Sequence, residues 1–153
     1  MPAHSPILAP VIALIAWTLV VWIWMYATRL PAMSRAGIDG TKIVGTTGPA
    51  LRADLVAGGE LKASWVADNY NHLLEQPTIF YAICFVHALI GTGDGFNAQI
   101  AWAYVALRIV HSIVQNTFNR VLVRFSVFVL ASLCLFALTL HAAMAYFGWH
   151  MHG

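Results

Sequence analysis

Charge is what this sequence most lacks. Of its 153 residues, 9% are charged and 60% are hydrophobic, and the mean hydropathy is +0.74. A soluble domain covers its surface with about 25% charged residues. This chain would aggregate in water, which excludes a soluble enzyme and a disordered chain. Lysine and arginine together number eight and the net charge is +2. That is too little to track a phosphate backbone, so nucleic-acid binding is excluded. Cysteine is nearly absent. Cys84 and Cys134 form no CxxC pair and sit inside apolar runs, where they read as small buried hydrophobes. No Gly-Lys-Ser/Thr sequence is present; Gly40-Thr41-Lys42 has the wrong order for a phosphate loop. The start of the chain, Met1 to Ser5, has no Lys or Arg, and the uncharged stretch from Ile7 to Ala27 runs 21 residues. A signal-peptide core has about 7–15, so this stretch reads as an uncleaved transmembrane anchor.

Long apolar runs are what the sequence has. A membrane-crossing helix needs about 20 mainly apolar residues. Four segments meet this: about 5–28, 63–92, 97–117 and 121–148. The expected fold is therefore all-α, a four-helix integral membrane bundle forming a single domain over 1–153. Basic residues set the orientation. The loop 29–62 holds Arg29, Arg35, Lys42, Arg52 and Lys62, and the last turn holds Arg120 and Arg124. Seven of eight basic residues thus share one side, expected to be cytoplasmic, with both termini outside. Trp65, Trp102, Tyr146 and Trp149 fall near span ends, as interfacial anchors do. The long loop, rich in glycine, reads as flexible with at most one short interfacial helix.

Polar residues concentrate in the second and third spans. Asp68, His72 and Glu75 follow at spacings of four and three and share one helix face. Arg108, His111, Ser112, Gln115 and Asn119 form a second stripe. The topology puts both stripes at one depth, near the cytoplasmic side. An arginine at the centre of a span costs about 2.5–3.5 kcal/mol on insertion scales. Arg108 must therefore face a partner, and Glu75 is the expected one. A single ion pair needs two residues; about eight polar groups converge here, which points to a polar pocket between helices. Pro77 either kinks the second span and widens the cavity beside Glu75, or is simply tolerated.

The stretch Asn71-His72-Leu73-Leu74-Glu75-Gln76-Pro77-Thr78-Ile79-Phe80 resembles the second-helix signature of the MAPEG family, the membrane-associated proteins in eicosanoid and glutathione metabolism. Arg108-Ile109-Val110-His111-Ser112-Ile113-Val114-Gln115, followed by Arg124, resembles the third-helix signature. The resemblance covers about 65–147. It implies four-helix protomers assembled as a homotrimer, with glutathione as co-substrate at the protomer interface near the cytoplasmic face. Carried over by position, Glu75, Arg108, His111 and Arg124 match pocket residues, and a basic residue near the end of the first helix is Arg29 or Arg35. With their neighbours, the expected ligand-binding set is Asn71, His72, Glu75, Arg108, His111 and Gln115. The chain departs from the pattern at His72, which takes the place of the motif Asn, and at Gln115, which replaces a tyrosine. Asp68 and Asn71 stand where arginines usually precede the motif.

Glutathione chemistry requires lowering a thiol pKa from about 8.5, at about 1.4 kcal/mol per unit. Cations and hydroxyl donors in a dry site do this. Arg124 and Arg108 are the candidate cations, with Arg124 ranked as catalytic. Ser112 is the candidate hydroxyl. The second substrate would be a lipophilic small molecule arriving through the lipid bilayer, and the expected location is a cell inner membrane. No metal site is expected; His150 and His152 read as a frayed tail. Three other readings compete. A non-catalytic lipid-binding or scaffolding relative fits Gln115 and the lost arginines. A haem protein would pair His72 with His111 and His87 with His141. A small multidrug-type transporter would carry its carboxylate on the first span, which has none.

Overall fold

The computed structural model describes residues 4–148. Residues 1–3, the expected interfacial anchor Trp149, and His150 and His152 lie outside the described residues. The described chain is all helical: α1 (Leu8–Arg35), α2 (Gly48–Ala57), α3 (Leu61–Leu74), α4 (Gln76–Leu89), α5 (Gly95–Thr117) and α6 (Val121–Phe147).

Two helices, α1 and α6, are long and apolar enough to cross a membrane, with mean hydropathies of 2.2 and 2.5 over their most apolar windows. Only 28% and 17% of those windows are buried. The core helix of a soluble protein hides most of such a surface. Here Ile12, Leu19 and Ile23 of α1 and Leu122, Phe125, Leu133 and Phe136 of α6 all face outward. That much apolar surface requires lipid or protein around it.

The first helix runs past its expected end near residue 28, through Pro31, to Arg35. At its start, the backbone N–H of Ile7 donates to Gly93 O; at its end, Arg35 pairs with Glu60. The α3–α4 segment therefore returns antiparallel along α1. The turn 118–120 joins α5 to α6, and His141 meets Asn97 at the far end, so these two are also antiparallel. The core lies between them, built by Val11, Leu14, Val21, Phe80, Cys84, Tyr104, Val105 and Leu138. Phe80 and Tyr104 stack with centroids 4.3 Å apart. Cys84 is buried and Cys134 half-buried, both as free thiols.

The expected continuous second span is instead two helices of 14 residues each, broken at Glu75 (φ −85, ψ −94). The cause is Pro77. It has no N–H to give Leu73 O, and its ring crowds that carbonyl, so the ladder of α3 cannot continue. A new start forms at once: Thr78 N–H and Oγ1 both bond Glu75 O, and Pro77 occupies the first turn of α4.

The long loop carries the short helix α2. Thr47 caps it, its Oγ1 accepting from Ala50 N–H at 3.3 Å, and Pro49 sits in the first turn. Leu55 anchors it in a small apolar cluster with Ala32 and Ala63.

Candidate functional site

Two adjoining cavities open where α2, the end of α1, the second half of α3 and the α5–α6 turn meet. The first, about 300 Å³, is lined by residues that include Arg29, Arg52, Leu55, Asp68 and Asn71. The second, about 350 Å³, is lined by Arg52, Asp68, Asn71, His72, Glu75, Gln115, Asn119 and Arg124. Arg52, Asp68 and Asn71 line both, so the two form one polar cleft.

Five of the expected site residues line this cleft: Asn71, His72, Glu75, Gln115 and Arg124. Asn71, His72 and Glu75 come from the last turn of α3 and its break. Gln115 comes from the inward stripe of α5, where it is buried. Arg124 comes from the first turn of α6, and its Nη1 donates to Asn119 Oδ1 at 2.6 Å. Asn119 adopts a left-handed conformation (φ 48), which turns the chain from α5 into α6.

The other three, Arg108, His111 and Ser112, lie on the same face of α5 but deeper. All are buried and none lines the cleft. His111 Nδ1 and Ser112 Oγ have no hydrogen-bond partner. The rings of His111 and His72 meet edge to face, centroids 6.2 Å apart.

The expected Glu75–Arg108 ion pair does not form. Glu75 faces outward, with its side chain 67% exposed, and meets His72 Nδ1 at 3.3 Å. Arg108 is 1% exposed, and its Nη2 donates to the carbonyl oxygen of His72. The break at Glu75 explains both facts. It frees a carbonyl at the C-terminus of α3, a position that attracts a cation. It also swings the Glu75 side chain away from the interior. The guanidinium Cζ lies 6.0 Å from the Phe128 ring centroid.

Sequence reasoning missed the place of Arg52. Its side chain meets Asp68 Oδ2 at 3.0 Å, linking α2 to α3 across the junction of the cavities. The signal was there: Thr47-Gly48-Pro49 is a helix start, and Leu51 and Leu55 share a face four residues apart. Of the two candidates for the basic residue of α1, Arg29 lines the cleft. Arg35 is held elsewhere, by a bidentate pair with Glu60 at 2.6 and 2.9 Å. That hydrogen bond holds the Glu60 carboxyl below its usual range. In the loop, the Thr41 hydroxyl first and Lys42 second do the same for Asp39.

The histidines at the opposite end serve packing. His87 is fully buried, with Nδ1 at 2.7 Å from Thr92 Oγ1 and Nε2 at 2.9 Å from Leu138 O. His141 Nδ1 lies 2.7 Å from Asn97 Oδ1. Neither nitrogen of His87 is free for a haem iron.

A family model, the MAPEG family, matches residues 7–144. The chain belongs to the MAPEG family. No curated protein and no solved structure matches it. Membership and the outward apolar faces of α1 and α6 together make this a MAPEG-type membrane protein. The match runs through the whole cleft, from Arg29 to Arg124.

Proposed function

We propose that this MAPEG protein binds glutathione in the polar cleft and transfers it to, or uses it to reduce, a lipophilic substrate. The observation that carries the reading is the charge set of the cleft. Arg29, Arg52 and Arg124 face Asp68 and Glu75, leaving one net positive charge. Glutathione at neutral pH has two carboxylates and one ammonium, so its net negative charge is opposite to that of the cleft. Three guanidiniums can bind carboxylates, bidentately where geometry allows. Arg124 is the cation placed to favour a thiolate, because it lines the cleft and Asn119 fixes its Nη1.

In this reading α1, the α3–α4 pair, α5 and α6 are the four spans of an inner-membrane protomer. The basic end is cytoplasmic, both termini are outside, and three copies assemble. Arg108, His111 and Ser112 lie buried on the same face of α5 as Gln115, behind the cleft lining.

A second reading is a non-catalytic relative that binds a lipid or glutathione conjugate. It is favoured by one observation: the cavity beside Arg124 is lined by no hydroxyl side chain, Gln115 standing where a phenol would donate. Calorimetry on the detergent-purified protein tests both. Saturable glutathione binding that is lost in Arg124→Ala supports the proposal. Binding without turnover of any electrophile or hydroperoxide favours the second reading. A well-folded oligomer that binds no glutathione overturns the first.

A further inference from the structure

The Arg52–Asp68 pair links α2 to α3, but α2 does not depend on it for docking. Leu55, 1% exposed, already anchors α2 against Ala32 and Ala63. The pair itself is half open to solvent, with side chains 49% and 33% exposed. Such an ion pair contributes little to stability and exchanges readily. Yet its two residues, with Asn71, are the only described residues shared by both cavities. The other acid–base pair of the cleft, His72 with Glu75, is charged on both sides only when the imidazole is protonated. Among the described residues lining the cleft, Arg52 and Asp68 are the ion pair that involves no histidine.

From this juxtaposition we infer that Arg52 and Asp68 read an α-amino-acid head group, the carboxylate on Arg52 and the ammonium on Asp68. A cation and an anion held side by side at 3.0 Å match a zwitterion whose charges lie equally close. The ligand exchanges one ion pair for two, so neither side chain is left uncompensated. Asn71 beside them offers both an amide donor and an acceptor. The inference rests on the proposed function and deepens it. It puts the γ-glutamyl end of glutathione at the cavity junction and leaves the cysteine to run toward Arg124. It also gives Asp68, which stands where the family pattern has an arginine, the role of selecting for the ammonium.

The test is calorimetry on the purified protein with four ligands: glutathione, glutaryl-cysteinylglycine (no ammonium), 4-aminobutyryl-cysteinylglycine (no α-carboxylate) and γ-glutamylcysteine (no glycine). A charge-assisted hydrogen bond corresponds to about tenfold to a hundredfold in affinity. The wild type is expected to bind the first two analogues at least tenfold more weakly than glutathione. In Asp68→Asn the penalty for the missing ammonium disappears, and in Arg52→Gln the penalty for the missing carboxylate disappears. The analogue comparison on wild type needs no variant, so a folding failure cannot stand in for an answer. Glutathione binding with no penalty for either deletion overturns this inference and leaves the proposed function standing. Discrimination that survives unchanged in both variants overturns it too. If glutathione does not bind at all, the proposed function and this inference fall together.

Discussion

Arg108 Nη2 donates to the carbonyl oxygen of His72 at 2.5 Å, closing the broken end of α3 with a cation. Arg108 is thus a cap as well as a buried charge, and the Glu75 carboxylate is free for the cleft. The expected outcome of Arg108→Ala is a lower thermal midpoint. A hydrogen bond from a charged donor contributes about 1.5–3 kcal/mol, and the freed His72 carbonyl would stay buried. Glu75→Gln should leave stability nearly unchanged. Equal destabilisation by the two would mean that they are paired after all. Thermal unfolding followed in detergent gives the comparison.

Asn119 connects a backbone requirement to a chemical one. Its left-handed φ turns α5 into α6, while its amide oxygen holds Arg124. Asn119→Gly keeps the conformation, because glycine adopts positive φ without cost. It removes only the grip on Arg124. Glutathione affinity should fall by about threefold to tenfold, the worth of one hydrogen bond of roughly 1 kcal/mol. Asn119→Ala should cost stability as well, since alanine keeps the Cβ but lacks the short polar side chain that makes asparagine tolerant of that conformation. Identical affinity in wild type and Asn119→Gly would show that Arg124 needs no support from residue 119.

The Arg35–Glu60 pair ties the end of α1 to the start of α3 and is pH-dependent in a stated direction. The carboxyl pKa is lowered in the folded protein by the guanidinium's hydrogen bond. The contribution is therefore present above the ordinary glutamate value of about 4.3. It is lost as the pH falls through the lowered value. Proteolysis of the loop 36–60 should accelerate over that acid window in the wild type. Glu60→Gln should already be fast at neutral pH and flat across the window. A wild-type profile as flat as the variant's would show that the pair does not hold this joint.

The limits of sequence reading are visible at particular residues. Periodicity places α5 and α6 almost to the residue, because each is an uninterrupted run with one inward stripe or one apolar surface. The inward stripe of α5 is also legible, since spacing puts Arg108, His111, Ser112 and Gln115 on one face and all four are buried. What fails is the pairing of Arg108 with Glu75. Charge complementarity suggested it, but the pairing assumed a continuous helix through Gln76-Pro77. Once Pro77 breaks the ladder at Glu75, a backbone carbonyl becomes the better partner, and no pattern of side chains announces that. Arg52 is missed for the opposite reason. Its loop is glycine-rich, and only the Thr47 cap and the Leu51/Leu55 spacing mark a helix that docks against α3. The separation of Arg29 from Arg35 depends on Glu60, which lies 25 residues further along.

The seat of α2 can be moved without touching any cleft residue. A Cβ built on Gly58 would lie 2.5 Å from Ala36 Cβ and 3.1 Å from Ala36 Cα. Neither atom belongs to a flexible side chain, so the C-terminal end of α2 must shift away from α1. Overpacking of this kind typically costs about 1–3 kcal/mol. The cost falls on α2, which is short and packs chiefly on α3, so the long helices should keep their thermal midpoint. Arg52 would move with α2, and glutathione affinity should drop. Gly58 has a negative φ (−79), so alanine there carries no backbone strain and the effect is purely steric. Ala36→Gly removes the nearer of the two clashing atoms. The double variant should therefore recover part of the lost affinity, more than additivity of the single changes allows. No rescue, or no loss in Gly58→Ala to begin with, would mean that the seat of α2 does not set the position of Arg52.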